Sequence, residues 1–142
     1  MSKKQDLILT EALVEKGLVA KNDMDGFLRD AASAGISLQQ YLIKRNLAQE
    51  KDILQALSER MRLSCIDLRS VSIERSILDK VPVKIATYYK FIPLSMQGRV
   101  LSIAVAFPLE IKTQDEIRAQ LGLEIQMHLA CMGDIVESLK KY

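Results

Sequence analysis

One histidine, two cysteines, three prolines and a net charge of only +2 mark what this sequence of 142 residues has little of, and each scarcity closes off a class of function. Lys and Arg total 20 against 18 for Asp and Glu, too small an excess to make DNA, RNA or an anionic membrane the main partner. No apolar run approaches the roughly 18 residues needed for a membrane span. The N-terminal stretch MSKKQDLILTEAL has a short apolar part that carries Asp and Glu, so it does not read as a signal peptide. Cys65 and Cys131 lie far apart without metal-ligand spacing; both are expected as small buried apolar residues in a reduced cytoplasmic setting.

Catalytic signatures are missing too. The sequence contains no G-x-x-x-x-G-K-[ST], G-x-G-x-x-G, H-E-x-x-H or G-x-S-x-G. His128, the only histidine, falls on the polar side of an alternating stretch with Glu124 and Gln126, while Met127 and Cys131 fall on the other. A solvated or edge histidine is expected there rather than a base. The close acids Asp115–Glu116 and Asp23–Asp25 read as a solvated face or as acids favoured near a helix start. In KIATYYK, Tyr88 and Tyr89 are adjacent, so at most one ring faces outward, too little for a nucleic-acid platform. No enzyme and no metal site is expected.

What is present is a repeat. The stretch ALVEKGLVAKNDMDGFLRDA, residues 12–31, can be laid on YLIKRNLAQEKDILQALSER, residues 41–60, by a shift of 29. Leu13 then meets Leu42, Leu18 meets Leu47, Asp23 meets Asp52, Met24 meets Ile53 and Leu28 meets Leu57. Gly17 meets Asn46, and both tolerate the left-handed backbone that ends a helix. Apolar positions survive the shift and surface positions do not, as in a repeated structural unit. The first 62 residues lack proline and read as four short helices. The second is expected to begin near Asn22 or Asp23, through a side-chain cap, and to end at Gly35.

After residue 62 the pattern changes. LSCIDL reads as a strand, SIERSILDKVP and VKIATYY as short helices, FIPLSMQ and RVLSIAVAF as a hairpin turning at Gln97–Gly98–Arg99. LEIKTQDEIRAQLG reads as a helix stopped by Gly122, LEIQMHLAC as a strand and GDIVESLKKY as a final helix. The expected fold class is α+β: an N-terminal bundle of short helices built on the tandem repeat, residues 1–62, packed on a C-terminal α/β sandwich with a small sheet, residues 63–142.

The repeat resembles the tandem motif of the MshEN domain, found at the N-terminus of secretion and pilus assembly ATPases of the GspE/PilB/MshE group. That motif runs R-L-G-x-x-[LVI]-[LVI]-x-x-G-[LVI]-[LVI]-x-x-x-x-L-x-x-x-L-x-x-Q, with five residues between copies. Ile8–Ala31 and Ser37–Arg60 match its length, and Ala32–Ile36 matches the spacer. In family members that bind cyclic di-GMP, Arg, Gly and Gln hold the dinucleotide over a leucine floor. The resemblance therefore implies Leu9, Leu13, Gly17, Leu28, Leu38, Leu42, Leu57 and Arg60 as the residues a ligand site here would use. The polar positions depart from the motif. R-L-G is Ile8–Leu9–Thr10 in one copy and Ser37–Leu38–Gln39 in the other, and the closing glutamines are Ala31 and Arg60. Each lost charge-assisted contact is worth about 1.5–3 kcal/mol, so cyclic di-GMP is disfavoured and no cofactor is expected.

The function implied is a non-catalytic docking and regulatory domain of a type II secretion or type IV pilus ATPase. It would be cytoplasmic and peripheral to the inner membrane, bound to the cytoplasmic part of a membrane platform protein, with the ATPase domain following residue 142. No nucleic acid and no direct membrane insertion are expected. The alternatives are a cyclic di-GMP sensor with a divergent site, and the same module as a stand-alone adaptor or fused to another enzyme.

Overall fold

The computed structural model describes residues 3–142; the first two residues of the N-terminal stretch lie outside the described residues. The chain divides into two compact units, Met1–Arg62 and Leu63–Tyr142.

Four helices make the first unit: α1 (Lys3–Glu15), α2 (Lys21–Ala34), α3 (Leu38–Lys44) and α4 (Glu50–Met61). The repeat is visible in their ends. Helices α1 and α3 stop 29 residues apart, and α2 and α4 start 29 residues apart. The stops share one hydrogen-bond pattern. After α1, Gly17 N–H donates to the Val14 carbonyl at 3.0 Å and Leu18 N–H to Leu13 at 3.0 Å. After α3, Asn46 N–H donates to Ile43 at 3.1 Å and Leu47 N–H to Leu42 at 2.9 Å. Gly17 has φ +73° and Asn46 φ +55°. This is the double closure that a left-handed residue permits at a helix end. Helix α1 packs on α4 and α2 on α3, so each copy pairs with the other, and exchanging the copies preserves the pairing.

Helix α2 begins at Lys21 from Ala20, which makes no side-chain cap. Asn22 and Asp23 therefore lie inside its first turn, and the helix starts one or two places before the expected position. Asp23 contributes negative charge beside the free N–H groups instead of capping them.

The corner makes a direct prediction. Gly17→Val forces a β-branched residue into left-handed backbone, a cost of about 1–2 kcal/mol, whereas Asn46→Gly should be neutral or slightly stabilising. Urea denaturation followed by helical circular dichroism tests both; equal effects of the two changes would contradict the shared corner.

The second unit carries α5 (Arg75–Lys80), α6 (Val83–Tyr89), β1 (Phe91–Gln97), β2 (Val100–Val105), α7 (Ile111–Leu121), β3 (Glu124–Leu129) and α8 (Met132–Lys140), after a 3₁₀ turn at Leu68–Ser70. The sheet order is β1-β2-β3. Strands β1 and β2 form the expected antiparallel hairpin, with Gln97 opposite Val100 and Gly98 at φ +61° in the turn. Helix α7 lies between β2 and β3 in the chain, and those strands run parallel. Ile103, Ala104 and Val105 are consecutive and all buried, so both faces of the central strand are covered. On one side Ile92, Ala104, Ala130 and Ile135 form a cluster with Leu68. The Tyr142 hydroxyl donates to the carbonyls of Val81 and Leu78, the latter at 3.1 Å, tying the end of α8 to the α5–α6 junction.

LSCIDL does not form the strand expected of it. Its extended part makes one parallel bridge, Cys65 to Leu129, with Ile66 N–H donating to Leu129 and Leu129 N–H to Ser64, each at 2.8 Å. Asp67 then accepts from Arg69 N–H at 3.0 Å and turns the chain into the 3₁₀ turn, which stops the pairing. The expectation of two buried cysteines also fails. Cys65 is exposed and Cys131 half-buried; Cys65 alternates with Ile66, whose side chain takes the core side of this segment, and Cys131 is the residue from which α8 starts.

Candidate functional site

The eight residues implied as a ligand site separate into three settings. Leu9, Leu13, Leu38, Leu42 and Leu57 are the core of the helical unit, none more than 2% exposed. Gly17 forms the corner after α1. Leu28 is half-buried, and Arg60 sits outside, where its guanidinium pairs with Glu11 and, at 3.0 Å, with Glu15 on α1. The leucines are thus brought together by packing, while Arg60 is held outside them by carboxylates of α1.

The polar positions of the motif are occupied by interactions of the fold. Thr10 Oγ1 donates to the Asp6 carbonyl one turn back, at 2.7 Å. Ser37 Oγ accepts from Gln40 N–H at 3.1 Å while Gln40 Oε1 accepts from Ser37 N–H at 3.1 Å, a reciprocal cap that starts α3. Ala31 and Gln39 are buried. Arg60 meets two carboxylates, which neutralise the one cation at a motif position.

A cleft of about 570 Å³ opens between α1 and α2. Thr10, Met24 and Leu28 line it, all three at motif positions of the first copy. Their second-copy counterparts, Gln39, Ile53 and Leu57, are buried at 5%, 0% and 0% exposure, and Met24 itself at 2%, so the copies differ at Thr10 and Leu28, which are half-buried. Lys3, Lys21, Asp6 and Asp25 also line the cleft, and the two cations are balanced by two anions. Burial raises the Asp6 carboxyl above its usual range, as expected of a carboxylate losing water. Lys21 and Asp25 occupy variable positions of the motif, and Lys3 and Asp6 precede it, so sequence spacing gave no sign of them.

His128 departs from the solvated or edge position expected of it. It lies on β3 opposite Ala104 of β2, half-buried, and its Nδ1 is buried without a hydrogen-bond partner among the described residues. Pairing of β3 with both β2 and the Ser64–Ile66 segment moves it away from the sheet edge. Tyr88 and Tyr89 divide as expected: Tyr88 is exposed, and Tyr89 is half-buried against α7. Among the described residues, no group of three or more His, Cys, Asp or Glu is placed to hold a metal ion.

Comparison with known proteins adds to this geometry. The model of the MshEN domain matches residues 60–142, more than half of the chain, and the match falls on the second unit rather than on the tandem repeat. The chain is 23% identical over 134 residues to the type IV pilus assembly ATPase PilB of Myxococcus xanthus, covering 94% of the chain and 24% of that protein. It is 24% identical over 139 residues to the PilB of Thermus thermophilus, covering 96% and 16%. The chain therefore spans about a quarter or less of these relatives. Among solved structures, MshE with cyclic di-GMP superimposes with a TM-score of 0.81 at 23% identity, over 94% of this chain and 97% of that one. The N-terminal domain of XpsE superimposes with a TM-score of 0.71 at 18% identity, over 100% and 99%. At these identities the superpositions establish the fold, an α+β domain of helices with a small sheet.

Proposed function

The chain belongs to the MshEN domain family, and from that membership we propose that it is a non-catalytic docking and regulatory domain of a type IV pilus or type II secretion ATPase, bound to the cytoplasmic part of an inner-membrane platform protein. The observation that carries this reading is the use of the repeat. Thr10, Ser37 and Arg60, three polar residues at ligand-type positions, are engaged in a backbone bond, a helix cap and two ion pairs. A module whose ligand chemistry is spent on folding keeps value as a surface. The pilus ATPase relatives supply the machine in which such a surface would act. No helix among the described residues is long and apolar enough to cross a membrane, so attachment to the inner membrane would run through the partner.

Interferometry with the purified cytoplasmic part of the platform protein from the same organism tests this. Micromolar or tighter binding is expected. No binding at tens of micromolar, with both proteins folded, would reject the docking reading.

A second reading, a cyclic di-GMP sensor with a divergent site, is favoured by one observation: MshE, which shares the fold, was solved with that dinucleotide. The cleft at Thr10, Met24 and Leu28 is where such a site would begin.

A further inference from the structure

Tyr88 is 76% exposed, the highest value among the large apolar side chains described. Helix α6 explains the exposure. It buries Ala86 and half-buries Ile85 and Tyr89 on one side, leaving Val83, Lys84, Thr87 and Tyr88 on the other. The Tyr88 ring meets Tyr89 edge to face, with centroids 4.8 Å apart and planes at 87°. Tyr89 is itself fixed from α7: its hydroxyl donates to Glu116 at 3.2 Å and accepts from Gln120 Nε2 at 3.0 Å. An exposed aromatic ring is therefore braced by a second ring that is hydrogen-bonded in place. Such a ring loses little freedom when a partner covers it, and tyrosine is among the residues that carry most of the energy of protein interfaces.

The charges around it have one sign left over. Lys84 lies one turn before Tyr88, and Lys90 follows α6 at φ +58°. Both are exposed, and neither ammonium forms an ion pair with a described residue; the Glu116 carboxylate that accepts from Tyr89 keeps its charge, so two cations stand against one anion. An aromatic platform flanked by two unpaired cations, which outnumber the one carboxylate at Tyr89, is complementary to an acidic segment carrying an apolar side chain.

We propose that this end of α6, Tyr88 with Lys84 and Lys90, is the surface that receives the platform protein, through a segment of its cytoplasmic part that places carboxylates on either side of an apolar residue. The proposal rests on the docking reading and names its surface and chemistry.

The test uses the whole chain and the purified cytoplasmic part of the platform protein, measured by interferometry at low and high salt. Tyr88→Ala should weaken binding roughly 30-fold, the scale of an interface hot spot. The pair Lys84→Glu and Lys90→Glu should weaken binding at least as much and remove its salt dependence. Ile111→Ser, at a residue 75% exposed on α7, should bind like the unmodified chain. Thermal melting confirms that each variant is folded; the charge-reversal pair keeps the test open if Tyr88→Ala is not. Unchanged affinity in the Tyr88 and lysine variants overturns the surface while leaving docking intact. Concentration-dependent self-association of the chain, abolished by Tyr88→Ala, overturns the choice of partner. Failure of the unmodified chain to bind rejects docking and this surface together.

Discussion

Leu42→Ala is expected to cost the helical unit about 3–5 kcal/mol, and Leu28→Ala less than half of that. Leu42 is fully buried, and its carbonyl also accepts from Leu47 at the corner after α3. Truncating its side chain leaves a cavity inside a bundle of short helices that has little room to collapse around it. Leu28, though at an equivalent motif position to the buried Leu57, lines the open cleft and gives up fewer contacts. A small domain has roughly 5–15 kcal/mol in all, so Leu42→Ala removes a large share. Leu42→Met, a near-isosteric change expected to cost under about 1.5 kcal/mol, keeps the series measurable if the alanine variant unfolds. Urea denaturation followed by helical circular dichroism decides. Small and equal losses for Leu42→Ala and Leu28→Ala would mean that the leucines form an exposed floor rather than a core.

The other large effect concerns affinity. The leading Arg and Gly and the closing Gln of both copies are restored by Ile8→Arg, Thr10→Gly, Ala31→Gln, Ser37→Arg, Gln39→Gly and Arg60→Gln. These six changes alone should remain poor binders of cyclic di-GMP. Arg60→Gln releases the Glu11 and Glu15 carboxylates that Arg60 now holds, and they would face an anionic ligand. Adding Glu11→Gln and Glu15→Gln should bring binding from beyond the millimolar range into the micromolar. Three regained contacts at about 1.5–3 kcal/mol each suffice for three powers of ten at about 1.4 kcal/mol per power. Loss of the Ser37 cap costs about 1 kcal/mol, and Gly in place of Gln39 inside α3 about the same, so the variant should melt earlier yet remain folded. Calorimetry reads the affinity. A folded variant with all eight changes that still fails to bind would mean that the helical unit no longer has the shape of the family's site.

Much of the fold was legible where local chemistry decides it. Gly17, Asn46, Gly35 and Gly122 marked helix ends because a left-handed residue is needed there whatever packs nearby. The hairpin around Gly98 was legible for the same reason. The misreadings depend on distant or competing contacts. LSCIDL has strand composition, but its partner β3 lies some sixty residues on, and Asp67 diverts the chain after one bridge. Asn22 and Asp23 are good caps by type, yet α2 starts before them. The half-burial of His128 follows from strand pairing on both sides, which alternation alone does not report. At the candidate site, the leucine positions were legible as apolar. The engagement of Thr10, Ser37 and Arg60 was not, since each partner is set by the helix pairing or by a turn of backbone. The cleft residues Lys3 and Lys21 had no signature at all, being surface positions that the repeat does not preserve.

On the proposed function the tandem repeat persists as architecture, its ligand-type polar positions taken up by the fold. A calorimetric titration of the unmodified chain with cyclic di-GMP at moderate salt tests it most directly. No heat of binding is expected at low micromolar ligand. A low-micromolar dissociation constant that is lost in a folded Leu28→Asp variant would contradict it, placing a working site at the cleft between α1 and α2.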